Sequence, residues 1–252
     1  MLRDTIPGIN KIFETDPPRG SVILVAGGAG TLKSAFIFSV LAANLNSDHN
    51  QYAIYTTLEE NRDSHIRNME SIGIKFPKDR LMIHDLASFK SDMAYEDLSC
   101  YINQKDYIDL ALRGISTAMQ KSIEGVHRSD APEIAKKPVS FYALDSLNAL
   151  RDLARIDSAI IRQKIHELFY TLRKNNVTSF IVHESPAGSE LPETYLADGV
   201  IEFGMQPNTV GFKRYIHVRK MKSSRHAIDP FAIEVAKNGG LAIISPLTTH
   251  RK

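Results

Sequence analysis

Cysteine is almost missing from this sequence. Cys100 is the only one in 252 residues, which excludes an internal disulfide and a cysteine metal cluster. Long apolar runs are missing too: none approaches the ~20 residues a membrane-spanning helix needs. The first residues, Met1-Leu2-Arg3-Asp4-Thr5-Ile6-Pro7, lack the apolar core of a signal peptide. The expectation is therefore a cytosolic protein with no membrane association. An excess of charge of one sign is also lacking. With 31 Lys and Arg against 29 Asp and Glu, the formal net charge is +2, so there is no bulk electrostatic case for a dedicated nucleic-acid binder. Nor are aromatics clustered into a stacking platform for a single strand. Against these absences, 43% of the residues are hydrophobic, enough for one sizeable core and a single domain over residues 1–252.

What is present centres on Gly27-Gly28-Ala29-Gly30-Thr31-Leu32-Lys33-Ser34. A turn at Pro17–Ser21 opens the short β-branched run Val22–Ala26 before it, and Ala35–Ala43 behind it reads as a buried helix. Strand, glycine-rich loop, lysine, hydroxyl and helix is the layout of a phosphate-binding loop. Glycines let successive backbone N–H groups curl around phosphate oxygens, and the helix N-terminus adds partial positive charge. Gly28 to Ser34 are the expected nucleotide contacts, with Lys33 reaching the outer phosphates and Ser34 a ligand to Mg²⁺. Leu32 departs from the pattern, standing where a glycine usually precedes the lysine. Its side chain has to point away from the phosphates.

Further strands are expected at Tyr52–Leu58, Leu81–Leu86, Val139–Ser146, Val177–Glu184, Val200–Phe203 and Tyr215–Val218, with Ala227–Pro230 and Phe231–Val235 as closing edge or hairpin strands. An amphipathic stripe at Ile160, Ile161, Ile165, Leu168, Phe169 and Leu172 predicts a long helix, capped by Asp157 or Ser158. Strands alternating with helices, then consecutive strands, predict an α/β fold whose mainly parallel central sheet is flanked by helices and carries an antiparallel C-terminal extension. Ile6–Phe13 reads as a segment packing beside the first strand. Irregular helices are expected between Leu98 and Met119. Residues 120–138, with His127 and Arg128, read as a mobile insertion.

Ligands of such sheets sit beyond the carboxyl ends of the strands, and three strands end in polar groups there. Glu59-Glu60 supplies either a base for the water attacking a γ-phosphate or a charged helix start. Asp145 is placed to hold Mg²⁺ opposite Ser34. His183-Glu184 is either a sensor of the phosphate site or a turn. Arg219 to His226 carries five potential cations in eight residues. That stretch reads as an exposed loop, a phosphate-directed finger or a contact to a nucleic-acid backbone.

Taken in order, these motifs resemble the RecA-superfamily ATPases related to KaiC. The resemblance runs from Ile6 to about Ile244 and rests on Ile6-Pro7-Gly8-Ile9, Pro18-Arg19-Gly20-Ser21, the Gly27–Ser34 loop, Thr57-Leu58-Glu59-Glu60, Leu144-Asp145-Ser146-Leu147, Leu196-Ala197-Asp198-Gly199-Val200 and Arg219–His226. It implies a RecA-like P-loop fold, ATP and Mg²⁺ as ligands, and slow ATP hydrolysis serving a regulatory or signalling role. Glu59 would be the water-activating base with Glu60 in support, and Asp145 the metal-holding carboxylate beside Ser34. Lys220 and Lys222 resemble the basic finger inserted into a neighbouring subunit's site. Self-assembly, commonly into a hexameric ring with nucleotide at the interfaces, is implied with it. The chain holds one such domain where the clock protein has two, so a circadian role does not carry over. Two other functions share these residues: an ATP-sensing scaffold with little turnover, and a recombinase-like ATPase binding single-stranded DNA, which charge and aromatic content do not favour.

Overall fold

A computed structural model describes residues 1–88, 139–154, 158–186, 188–189, 192–208 and 211–247. The helices expected between Leu98 and Met119 and the insertion at 120–138, with Cys100, His127 and Arg128, lie outside the described residues.

Among the described residues, nine strands form one sheet. They are β1 (Val22–Gly27), β2 (Tyr52–Thr57), β3 (Leu81–Asp85), β4 (Val139–Asp145), β5 (Thr178–Glu184), β6 (Gly199–Asn208), β7 (Gly211–Met221), β8 (Phe231–Val235) and β9 (Leu241–Pro246). Their order is β3-β2-β4-β5-β1-β6-β7-β8-β9. Every pair from β3 across to β6 is parallel, and β6 to β9 are antiparallel. Strands β1 and β2 are buried along their whole length, which is why β1 reads as an unbroken apolar run rather than an alternating one.

Alternation along each strand sorts side chains into two layers. Ile23, Val25, Ala53, Tyr55, Phe141 and Ala143 join Phe36, Ile37, Phe38, Val40 and Leu41 of α1 (Lys33–Ser47) and Met69 of α2 (Arg62–Ser71). Val22, Leu24, Ile54, Tyr142 and Leu144 join Leu147 and Leu150 of α3 (Leu147–Ala154) and the Ile161, Ile165, Leu168, Phe169 and Leu172 stripe of α4 (Ser158–Lys174).

The Ile6–Phe13 segment, with a short 3-10 turn at Ile9–Lys11, packs where expected: Ile6, Ile9, Ile12 and Phe13 share one core with Ile23 and Val25 of β1. Its backbone pairs with the antiparallel extension: Ile243 N donates to Pro7 O at 2.9 Å, Ala227 N donates to Ile12 O at 2.7 Å, and Phe13 bridges His226. Two expectations are revised. Ala227–Pro230 is not a strand, and the edge is β9, whose partner β8 begins at Phe231. Finally, β6 and β7 run well past Val200–Phe203 and Tyr215–Val218, because their pairing with each other continues to Asn208↔Gly211.

Asp198 of the Ala-Asp-Gly motif joins four elements near the amino end of β1. Its carboxylate accepts from Val22 N at 3.0 Å and Arg173 Nε at 2.8 Å, and lies 3.3 Å from Lys222 Nζ. Next to it, Gly199 pairs with Met221 of β7, whose flexible thioether fills the space a Cβ would take, with Sδ 2.4 Å from it. Burial alone would raise the Asp198 pKa. The Arg173 and Val22 hydrogen bonds, the Arg173 charge and the Lys222 hydrogen bond outweigh it and hold the group below the usual carboxylate range. A carboxylate depressed on folding stabilises the native state above its unfolded pKa and loses that contribution as pH falls through the folded value. Asp198→Asn is therefore expected to lower stability by about 1–3 kcal/mol near neutral pH. The gap from wild type should close as urea titrations are moved below roughly pH 4.

Candidate active site

Parallel register brings the polar strand ends to one edge. Gly27 pairs with Glu184, and Thr57 with Asp145. The loop Gly28–Leu32 leaves β1 at this edge and turns into α1. Gly27 has φ 151°, and a Cβ on it would lie 2.2 Å from Phe203 O, so only glycine lets β1 run this close to β6. Thr31 Oγ1 donates to Gly28 O at 2.7 Å, which closes the loop on itself. Lys33 is buried, and its Nζ donates to Gly28 O at 2.7 Å and to Glu184 Oε1 at 3.4 Å. The lysine thus bridges the loop's own carbonyl and a carboxylate, both of which it can leave for a more strongly charged anion. Leu32, the residue before α1, makes no side-chain cap to the helix, and the first turn of a helix presents N–H groups without intrahelical partners.

Leu32 occupies the left-handed region, with φ 76° and ψ 19°. A non-glycine residue there carries strain of about 1–2 kcal/mol. Its side chain packs against the α1-side core, and that burial offsets the strain.

Ser34 Oγ donates to Asp145 Oδ2 at 2.6 Å, and Tyr55 O–H donates to the same oxygen at 2.5 Å. Burial, then the adjacent Asp145 charge, pushes the Tyr55 hydroxyl well above its ordinary pKa, so it stays a donor. Ser34 and Asp145 are hard oxygen donors facing one another beside a phosphate loop, a pair that fits Mg²⁺, which takes one or two protein oxygens and completes its shell from phosphates and water. Among the described residues no group of three or more His, Cys, Asp and Glu is placed for an all-protein metal site.

The Glu59-Glu60 pair divides. Glu59 projects toward the site, and its Oε1 accepts from Ser146 Oγ. Partial burial raises its pKa. Ser146 and Lys33 oppose the shift, while Asp145 and Glu184 add to it, and the net result lies above the usual carboxylate range. Glu60 turns onto α2. Its carboxylate accepts from Ser64 Oγ at 2.6 Å and Asn68 Nδ2 at 2.5 Å, and lies 3.2 Å from His65 Nδ1, while Asn61 caps the helix. The structure does not bring Glu60 to the site, because the helix start occupies it.

Lys220 and Lys222 are not brought to the chain's own loop either. Met221 pairs with Gly199, which lies beside Ile23, at the opposite end of β1 from Gly27. Lys220 Nζ donates to Thr194 O and Ala197 O, each at 2.8 Å, whereas Lys222 is 55% exposed. Of the His183-Glu184 pair, His183 is buried and Glu184 faces Lys33, positioned by reciprocal bonds with the Asn148 side-chain amide.

Sequence reasoning did not single out Ser146, Tyr55, Asn148 or Arg214 for the site. Ser146 follows Asp145 directly, and Ala149 N donates to its Oγ at 3.2 Å, so a hydroxyl beginning a helix was the available signal. Arg214, on the extension of β7 beyond the loop, donates from Nε to Gly30 O at 2.9 Å. Only the antiparallel pairing of β6 with β7 places it there.

A parallel core ordered β3-β2-β4-β5-β1, with a P-loop at the carboxyl end of β1 and an antiparallel continuation, makes this a nucleotide-binding P-loop protein of the RecA type. Within that class the chain belongs to the KaiC ATPase family, whose profile matches residues 2–248. Among solved structures it is similar to a KaiC-like protein from the hyperthermophilic archaeon Pyrococcus horikoshii OT3, with a TM-score of 0.72 and 23% identity over 95% of this chain and 96% of that one. Comparison with curated proteins finds no match. No helix among the described residues is long and apolar enough to cross a membrane.

The geometry of Leu32 makes a test. Leu32→Gly removes both the left-handed strain and the apolar contact, so stability should stay within about 1 kcal/mol of wild type. Leu32→Val keeps an apolar side chain but forces a β-branched residue to positive φ, and it should cost more than the glycine variant in chemical denaturation.

Proposed function

We propose that this protein is a Mg²⁺-dependent ATP hydrolase that works as an oligomer with nucleotide at subunit interfaces. The observation that carries the reading is the meeting of Lys33, Ser34, Asp145 and Glu59 at one sheet edge around a P-loop. Loop amides and the α1 N-terminus bind the phosphates, and Lys33 exchanges Gly28 O and Glu184 for the outer phosphate oxygens. Ser34 and Asp145 hold the cation, which when bound neutralises charge on the phosphate oxygens. Glu59, oriented by Ser146, accepts a proton from the attacking water. Arg214 stands beside Gly30, within the loop's wall.

Lys220 and Lys222 lie at the far end of the sheet from their own P-loop, so any part they take in hydrolysis is played at a neighbour's site. Lys222 is the better presented of the two. Lys220 has to leave two backbone carbonyls first. Glu60 serves as the anchor of α2, which keeps the loop after β2 in place for Glu59.

The test is steady-state ATP hydrolysis with Mg²⁺ at several protein concentrations, for wild type and Glu59→Gln. Turnover per chain is expected to rise with concentration. The variant should lose about 10²–10⁴-fold in rate while still binding nucleotide. Because a general base works deprotonated and the Glu59 pKa is raised, wild-type turnover should fall with pH at values above the ordinary carboxylate range, and this limb should vanish in the variant. Nucleotide binding without turnover in either protein would instead make the chain an ATP-held scaffold. Stimulation by single-stranded DNA would favour the recombinase-like reading. Failure to bind either ATP or GTP would overturn the P-loop assignment.

A further inference from the structure

Tyr55 sits mid-strand in β2 with its ring fully buried, and its hydroxyl enters the site from beneath. The ring packs edge-on to Phe38 of α1, centroids 5.6 Å apart, and lies 4.6 Å from the His65 ring of α2. Register sets Tyr55 opposite Ala143 and Thr57 opposite Asp145. The diagonal from Tyr55 to Asp145 is a reach that aromatic side chains make across neighbouring strands, and the small Ala143 side chain leaves it open.

For packing alone, phenylalanine would fill the same space. The hydroxyl adds a buried polar group that requires a partner, and the partner it has is Asp145. Two hydroxyl donors, Tyr55 at 2.5 Å and Ser34 at 2.6 Å, converge on one oxygen, Oδ2. A carboxylate held by a single donor can turn about its last torsion, whereas one held by two donors from different elements has its plane set. We propose that Tyr55 is a positioning residue for the metal-holding carboxylate: its phenol locks Asp145 with Oδ2 toward Ser34 and leaves the other oxygen for the cation. This inference rests on the Mg²⁺-nucleotide reading above. It adds that a fully buried core tyrosine two residues before the end of β2 sets the metal affinity of the site.

The experiment compares ADP binding by calorimetry across a Mg²⁺ titration for wild type, Tyr55→Phe, Asp145→Ala and the double variant. Thermal unfolding checks that each protein folds, and Tyr55→Met takes the place of Tyr55→Phe if the latter does not. Metal-free ADP affinity is expected to stay within about twofold of wild type in Tyr55→Phe. The Mg²⁺ concentration giving half of the metal effect should rise by roughly 10–100-fold, the usual consequence of removing an outer partner of a metal ligand. In the Asp145→Ala background, removing the hydroxyl should change nothing further, which a purely structural role would not produce. An unchanged Mg²⁺ midpoint in Tyr55→Phe would overturn this inference and leave the P-loop reading standing. Wild-type ADP binding indifferent to Mg²⁺ would overturn both.

Discussion

Parallel pairing of β2, β4, β5 and β1 is the constraint on which everything else in this molecule depends. In a parallel sheet every strand delivers its last residue to the same edge. That is how Gly27, Thr57, Asp145 and Glu184, drawn from four separate parts of the chain, come to surround one small volume. Burial on both faces makes the arrangement rigid, because a slip of one residue would turn each apolar set to the wrong layer. Cores on both sides, with α1 and α2 on one and α3 and α4 on the other, hold the register against that slip.

Within this frame the site is satisfied by its own groups. Lys33 rests on Gly28 O and Glu184, Ser34 and Tyr55 rest on Asp145, and Glu59 rests on Ser146. Unpaired buried charges are strongly unfavourable, so a site that must gather several has to pair them until a ligand arrives. A phosphate chain can offer Lys33 a better partner than these, so that binding exchanges contacts rather than exposing new charge. Leu32 fits this economy differently: its strained backbone is held in place by the core contact of its side chain.

The opposite end of the sheet is organised around Asp198. That carboxylate ties the start of β1 to Arg173 of α4 and to Lys222 at the end of β7, so the basic stretch Arg219–His226 is anchored to the same strand that carries the P-loop. The N-terminal segment pairs with the antiparallel extension through Pro7, Ile12 and Phe13. Two ends of one strand thus carry the nucleotide loop and the cationic loop.

Local chemistry was legible from the residues alone. Gly27–Ser34 reads as a phosphate loop from its glycines, lysine and hydroxyl, and Val139–Asp145 reads as a buried strand ending in a carboxylate, because these depend on neighbours in sequence. The division of Glu59 from Glu60 was not legible: two identical side chains differ only in that one meets Ser146 while α2 captures the other. Tyr55 reads only as part of the Tyr52–Leu58 strand until register puts its hydroxyl at Asp145, and Arg214 carries no reading until the pairing of β6 with β7 brings it to Gly30. The sequence by itself determined which elements form and which carry phosphate chemistry, since periodicity and loop composition are short-range properties. Tertiary structure decided which side chains share an oxygen and at which end of the sheet each cation lies. Those are distances between strands remote in the chain, and only their pairing sets them.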